Sequence, residues 1–483
     1  MYFVLHASRE TGMMATSAKE ASLDLRGGGV GAAARWPDWV QRLKHLLGLD
    51  RAIAFTVLAR ITQILGSTGT VLLIVRFLSP VEQGYYYTLL SLVALQAVFE
   101  LGFSFVILQM AAHECAHLTL HADGRVEGDP VAHARLASIL QKTVRWYLVT
   151  AVIFCVSLLP VGAYFFSRHG HASAPVAWHG PWSAAVFATV CLFFLYPFYS
   201  FLEGCGQVWQ VGRMHFTQAL LGAVLSWGAL LTHRGLYAPS MVNFGYAVAG
   251  LAFLYSRRKL CLGLLRYPVG GQAVSWRREV WPFQWKIAVS WACAYFTGQI
   301  FTPVLFAYRG PMEAGQFGLS LSIATYLWTL VIAWMSTKAT PFGQMIARGE
   351  FQQLRALFFR TLRKSLALLA MMAIGCEIGR VGVERLLPRL AARLVSPQIF
   401  ALLLLTSVSV FIVQSMAIYL RSFKREPFLV RSIVIAVLTV VFALSTVKVW
   451  GTAGVALSYL LCTGVVGLAS AIVIFRRWPA NTG

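Results

Sequence analysis

The sequence predicts an all-α, polytopic membrane protein of about 12 transmembrane helices, set as two six-helix bundles related by an axis along the membrane normal. Three observations carry this prediction. Of 483 residues, 58% are apolar and 12% charged, about half the charge of an average soluble domain, and mean hydropathy is +0.66. Apolar runs of the length an α-helix needs to cross hydrocarbon recur along the whole chain. The stretch SPVEQGYYYTLLSL from Ser79 also returns once, as GPMEAGQFGLSLSI from Gly310. At one constant offset Pro80, Glu82 and Gly84 fall on Pro311, Glu313 and Gly315, so the chain reads as two copies of one membrane unit with a repeated turn motif.

Taken in order, residues 1–53 are polar, mixed in charge and Gly-rich, which predicts a mobile cytoplasmic tail ending in a short interfacial helix, Trp36 to Leu49. No apolar h-region precedes a small-residue cleavage site there, so no cleaved signal is expected. RGGGVG is no phosphate loop: it lacks the Lys-Ser/Thr pair, and no strand precedes it. The N-terminal bundle is expected over 54–256, with spans at 54–78, 84–110, 144–166, 182–203, 207–232 and 239–256. Between its second and third spans lies a His-rich cytoplasmic loop, 111–143. A basic cytoplasmic linker, 257–282, separates this bundle from the C-terminal one at 283–475. There the spans are 283–308, 316–338, 365–379, 398–420, 428–447 and 454–475, and 476–483 forms a cytoplasmic tail. Pro160, Pro197 and Pro303 fall in or beside the third, fourth and seventh spans and predict bends.

The formal net charge is +23. In a soluble chain that balance would point to nucleic acid, but here the cations gather in loops on the side of the N-terminal tail, so nucleic acid is not an expected partner. The positive-inside rule then places both termini in the cytoplasm of a multi-pass protein of the bacterial inner membrane. One outer segment resists the rule, RVGVERLLPRLAARLVSP, with Arg380, Arg385, Arg389 and Arg393.

No metal or cofactor is expected. The eight cysteines show no CxxC spacing and most lie in apolar runs, which suits small buried hydrophobes rather than a zinc site or a disulfide framework. HECAH at His113–His117 matches the H-E-x-x-H zinc-protease pattern. A third ligand is missing, since all five Asp precede residue 130 and none lies in a span. A solvated helix end is the expected role. His121 and His133 in the same loop, and His169, His171 and His179 outside, lack ligand spacing.

Polar residues inside the spans fall into stripes. Arg60, Gln63, Ser67 and Thr70 share one face of the first span, Gln96, Glu100 and Ser104 one face of the second, and Lys286, Ser290, Cys293 and Thr297 one face of the seventh, with Gln299 nearby. Such residues must avoid lipid. They either bind helices together or line a wet, cationic cavity suited to phosphate and sugar hydroxyls, with Arg60, Gln63, Gln96, Lys286, Ser290 and Gln299 as candidate substrate-binding residues. Glu100 either couples transport to an ion or holds Arg60 in a structural ion pair.

RFLSPVEQGYYYTLLSLVALQAVFELGFSFVILQMAAHE, with FLEGCGQVWQVGRM, RGPMEAGQFGLSLSIATYL and KATPFGQMIARGEF, resembles the polysaccharide-biosynthesis oligosaccharide flippase family of the multidrug/oligosaccharidyl-lipid/polysaccharide exporter superfamily. The resemblance spans most of residues 54–363; the last four spans match in hydropathy alone. It implies a V-shaped, alternating-access flippase, not an enzyme, that moves a polyprenyl-pyrophosphate-linked oligosaccharide across the inner membrane for surface polysaccharide such as lipopolysaccharide or exopolysaccharide. Membrane lipids, a polysaccharide polymerase and a chain-length regulator are its implied partners. The alternative is an ion-coupled drug or metabolite antiporter of the same superfamily.

Overall fold

A computed structural model describes residues 51–121, 123–170, 176–270, 273–423 and 427–477. The expected helix at Trp36–Leu49 and the end of the C-terminal tail lie outside the described residues. The expected all-α, polytopic membrane fold is present. Among the described residues, seven helices qualify by length and apolarity to cross a membrane, and eight if one bent pair counts as a single span.

The predicted spans all fall on helices, with breaks that the hydropathy pattern did not show. The first is α1 (Arg51–Phe77), whose apolar part is Thr62–Phe77. The second is split into α2 (Pro80–Val93), α3 (Gln96–Glu100) and α4 (Phe103–Cys115). The His-rich loop is then largely ordered: strands β1 (Leu118–Leu120) and β2 (Val126–Gly128) pair as an antiparallel hairpin, and α5 (Pro130–His169) starts before its expected span. Asp129 explains the early start, since its carboxylate accepts the N–H groups of Val131 and Ala132 and Pro130 suits the first helical position. There follow α6 (His179–Gly204), α7 (Val208–Leu231), α8 (Ala238–Ser256) and, in the linker, α9 (Arg258–Arg266).

The C-terminal half opens with α10 (Trp281–Gly298) and α11 (Phe301–Arg309), which divide the seventh span at Gln299–Ile300. Pro303 therefore stands in the first turn of α11, where its missing N–H costs nothing, rather than bending a continuous helix. Next come α12 (Pro311–Ser336), α13 (Ala339–Ala347), α14 (Phe351–Leu386), α15 (Pro388–Ala391) and α16 (Pro397–Arg421). The last two spans are separate helices that meet within α17 (Leu429–Tyr459), the second continuing through a π turn at Leu460–Val466 into α18 (Gly467–Arg477); the kink where they meet is at Gly451 (φ 55°, ψ −133°). Glycine adopts that conformation without a Cβ penalty.

We call the end where α1 begins proximal and the other end distal. The distal ends of both halves share one core, including Tyr85, Phe166, Trp182, Phe301, Phe306, Phe317, Phe400 and Tyr459. Toward the proximal end the packing divides into two cores. One holds Phe103, Leu136, Tyr147, Phe193, Phe201 and Leu264, chiefly of the N-terminal half; the other holds Met335, Phe342, Phe358, Phe411 and Tyr419, wholly of the C-terminal half. The halves are thus joined distally and part proximally.

The seam that joins them is the repeated motif itself. Pro80 and Pro311 are first residues of α2 and α12, so the motif is a pair of helix starts rather than a turn. In the first copy Ser79 and Glu82 form a capping box, each side chain bonded to the other's backbone N–H. In the second, Gly310 replaces the serine and Glu313 accepts a 2.6 Å bond from the Thr452 hydroxyl. Gly84 and Gly315 meet face to face: a Cβ on Gly84 would lie 1.9 Å from the Pro311 carbonyl oxygen, and one on Gly315 2.7 Å from the Gly84 nitrogen. Lipid competes equally for apolar side chains, so such backbone approach and buried hydrogen bonds must supply the adhesion. Gln83 adds one by donating its amide to the Gly315 carbonyl at 2.9 Å, and the Tyr85 and Phe306 rings pack edge to face at 4.9 Å.

The cations that resist the positive-inside rule are partly spent inside the protein. Buried Arg380 is paired with Glu377 and Glu384 along α14. Arg393 crosses the seam, donating to the Leu78 carbonyl at 2.7 Å while its own carbonyl accepts from Gln83.

Candidate functional site

The second span breaks at Leu101 and Gly102, both left-handed (φ 58° and 62°). Glycine takes that conformation freely, whereas leucine is strained by about 1 kcal/mol. The surroundings hold the break in place. A Cβ on Gly102 would meet Ile287 at 2.5 Å and Trp291 at 2.7 Å, and Gln284 donates its amide to the part-buried Leu101 carbonyl at 2.6 Å. Those three residues, with Tyr295 donating to the Ser91 carbonyl at 3.2 Å, lie on one face of α10. The break in one half is therefore capped by the first span of the other.

Glu100 is the last residue before the break. Its carboxylate accepts hydrogen bonds from the hydroxyls of Ser104 and Tyr147, which lie 3.2 Å from each other. Tyr196 stands beside both Glu100 and Gln96, and the Gln96 amide oxygen is buried with no hydrogen-bond partner. The result is a half-buried set of oxygens, one carboxylate, three hydroxyls and an amide carbonyl, with no cation among its described partners. Such a set suits a proton or a hard monovalent cation.

The predicted site residues divide. Gln96, Glu100 and Ser104 come together as expected, although two short helices rather than one present them. Gln63 is exposed on α1. Further along that stripe Ser67 bonds Tyr326 of α12, and Trp227 of α7 donates to the Thr70 hydroxyl at 3.0 Å, so this part serves helix packing. Arg60 lies on α1, and its side chain is outside the described residues. Lys286 is exposed, its ammonium 5.9 Å from the centre of the Trp285 ring; Ser290 has a buried, unpartnered hydroxyl. Helical periodicity sets Lys286 opposite the α10 face that grips the break and Ser290 to the side of that face. Gln299 is exposed at the end of α10. In HECAH, Glu114 is buried and bonded by Arg135 at 2.8 Å, which commits its carboxylate to a structural pair.

Tyr147, Tyr196 and Gln284 were not legible as site residues, because each sits in a separate span and nothing local distinguishes it. The thiols of Cys115 and Cys205 were missed for the same reason: 90 residues apart, their sulfurs stand 2.8 Å from each other at the proximal end.

No family model matches the chain, and no curated protein does. Solved structures do match. One is a multidrug resistance MATE family transporter of the MOP superfamily in an inward-facing conformation, at 12% identity over 86% of this chain and 99% of that one, with a TM-score of 0.51. Another is a MATE transporter of Vibrio cholerae, at 13% identity over 88% and 96%, with a TM-score of 0.55. A third is a MOP superfamily transporter from Pyrococcus furiosus, described as having a binding pocket of reversed polarity, at 12% identity over 89% and 96%, with a TM-score of 0.54. The chain has the fold of these transporters.

Proposed function

We propose that this protein is an ion-coupled, alternating-access transporter of the inner membrane, with its proximal end in the cytoplasm. The observation that carries the reading is the broken second span: it presents Glu100 to a set of oxygens at the point where one half of the molecule caps the other. Binding a proton or cation changes the charge at the break, and the Gln284 bond ties the break to α10, so the ion and the relative position of the halves bias each other. The separated proximal cores and the shared distal core support a state open to the cytoplasm. The cation-rich proximal loops support the orientation.

For the cargo we favour a small organic solute exchanged against the ion, in line with the multidrug transporters whose fold the chain has. Flipping of a polyprenyl-pyrophosphate-linked oligosaccharide is the second reading. It is favoured by exposed Lys286 and by the partners that Glu100 and Glu377 already have, the hydroxyls of Ser104 and Tyr147 and the Arg380 guanidinium.

The test is reconstitution of wild type and Glu100→Gln into vesicles with an imposed pH or sodium gradient. Wild-type export should depend on the gradient, and Glu100→Gln should export at a rate indifferent to it; a variant with intact gradient dependence overturns the coupling. In the same vesicles, movement of a lipid-linked sugar without movement of organic cations would favour the second reading over the first.

A further inference from the structure

At the proximal face of the N-terminal half a cavity of about 250 Å³ lies between the β1–β2 hairpin, the α6–α7 turn and the junction of α8 with α9. Arg257, Arg258 and Lys259 reach it in succession, with Gln207, His121 and Asp123 opposite. The acidic side is already spent: Asp123 pairs with Arg125 at 2.8 Å and accepts that residue's backbone N–H, and His121 faces Glu127 at 3.1 Å. Arg258 is held over the Tyr255 ring, 4.1 Å from its centre, and donates to the Tyr255 carbonyl. Arg257 and Lys259 have no ion-pair partner among the described residues. Two atoms at the wall are buried without hydrogen bonds, the Arg257 Nε donor and the Gln207 Oε1 acceptor.

A ligand that satisfies both atoms brings an acceptor to Arg257 and a hydrogen-bond donor to Gln207; the neighbouring Arg257, Arg258 and Lys259 charges favour an anionic oxygen as the acceptor and a neutral hydroxyl over an ammonium as the donor. The cavity adjoins the proximal end of the α8 span, the side on which a lipid headgroup would lie. At the end of α8 Tyr255 is exposed, and α9 packs Leu260, Cys261 and Leu264 into the core of the N-terminal half while leaving Arg258, Lys259 and Arg266 exposed beside the cavity. Gly124 at the hairpin tip (φ 92°) presses on this helix, where an added Cβ would come within 2.9 Å of the Leu260 nitrogen. The wall is thus fixed by close packing.

We propose that this cavity binds a phosphate ester carrying a free hydroxyl, the chemistry shared by a glycerophospholipid headgroup such as phosphatidylglycerol and by soluble glycerol phosphate. The proposal is independent of what the protein transports.

The test uses the purified full-length chain, with native mass spectrometry to count retained lipid and thermal shift to follow glycerol 3-phosphate. Wild type should bind phosphatidylglycerol in preference to phosphatidylethanolamine, and Arg257→Gln/Lys259→Gln should weaken that binding at least about tenfold. Arg363→Gln/Lys364→Gln, which removes the same charge from an exposed stretch of α14, should leave it unchanged; equal losses in the two double variants would reduce the effect to general attraction and overturn the site. Gln207→Leu keeps the cations and should bind phosphatidylglycerol no better than phosphatidic acid, which separates loss of recognition from misfolding. Retained discrimination between those lipids overturns the assignment of the acceptor. Glycerol 3-phosphate binding that is lost in the Arg257/Lys259 variant supports the site with a soluble source, and binding of neither compound overturns it.

Discussion

Gly84 has no room for a side chain. Its hydrogen faces the Pro311 carbonyl, and even a methyl group would force α2 and α12 apart where the halves touch backbone to backbone. Gly84→Ala should therefore destabilise the protein by about 2 kcal/mol, seen as a lower thermal unfolding temperature in detergent. Gly343→Ala is the matched control: nothing lies within 4 Å of the added carbon, and the substitution should be neutral or slightly stabilising. Equal effects at both positions would mean that the glycine contact does not hold the seam. Glu100 shows how differently single residues can be read. Its place mid-span marked it from the sequence, whereas its partners, the hydroxyls of Ser104 and Tyr147, lie partly on another helix that only folding brings near.

At the scale of elements, the proximal extension of α5 grips the linker between the halves. Arg135 reaches Glu114 of α4 and Glu279 of the linker at 2.8 and 2.7 Å, Gln141 donates to the Leu264 and Tyr267 carbonyls, and Lys142 donates to the Val274 carbonyl at 2.6 Å. With Ser138, whose hydroxyl accepts the Val274 N–H at 3.2 Å, they lie on one side of the helix, and that side does the gripping. Arg135 and the Ser275 N–H hold the Glu279 carboxyl below the usual carboxylate range. Ionised Glu279 thus supports the clamp fully above the ordinary glutamate value of about 4.3, and that support is lost as pH falls through the lower value of the folded state. Hydrogen exchange at 273–280, corrected for intrinsic rates, should be slow at neutral pH and faster in acid. In Arg135→Gln it should be fast at both. A linker equally protected in the variant would exclude the clamp.

At the scale of the molecule, the distal seam is what opens if the halves exchange access. Arg393 donates across it to the Leu78 carbonyl, and partial burial pushes its guanidinium pKa down while the Glu82 carboxylate nearby opposes that shift. A charge-assisted hydrogen bond contributes about 1.5–3 kcal/mol. Its loss in Arg393→Ala should enlarge the distal-open population by roughly tenfold or more. In a cysteine-free background, a cysteine at Ser91, buried beside Tyr295 of the other half, should react correspondingly faster with an impermeant maleimide added from the distal side. An unchanged rate would show that the seam opens without breaking this bond.

The sequence by itself determined the material and the repeat: hydropathy requires helices that satisfy their own backbone in lipid, and the second Pro-x-Glu-x-Gly named in advance the residues that meet at the seam. Periodicity also placed Gln96, Glu100 and Ser104 on a common side. It could not show that the second and seventh spans break, because Leu101 is an ordinary helix former whose left-handed backbone is held by Ile287, Trp291 and Gln284 from far along the chain. Nor could it show that Arg135 spans three elements, or that Lys286 stands exposed on the side of α10 away from the residues that grip the break. Hydropathy reports the solvent each residue prefers, and pairing across 40 to 300 residues is settled only when the helices pack.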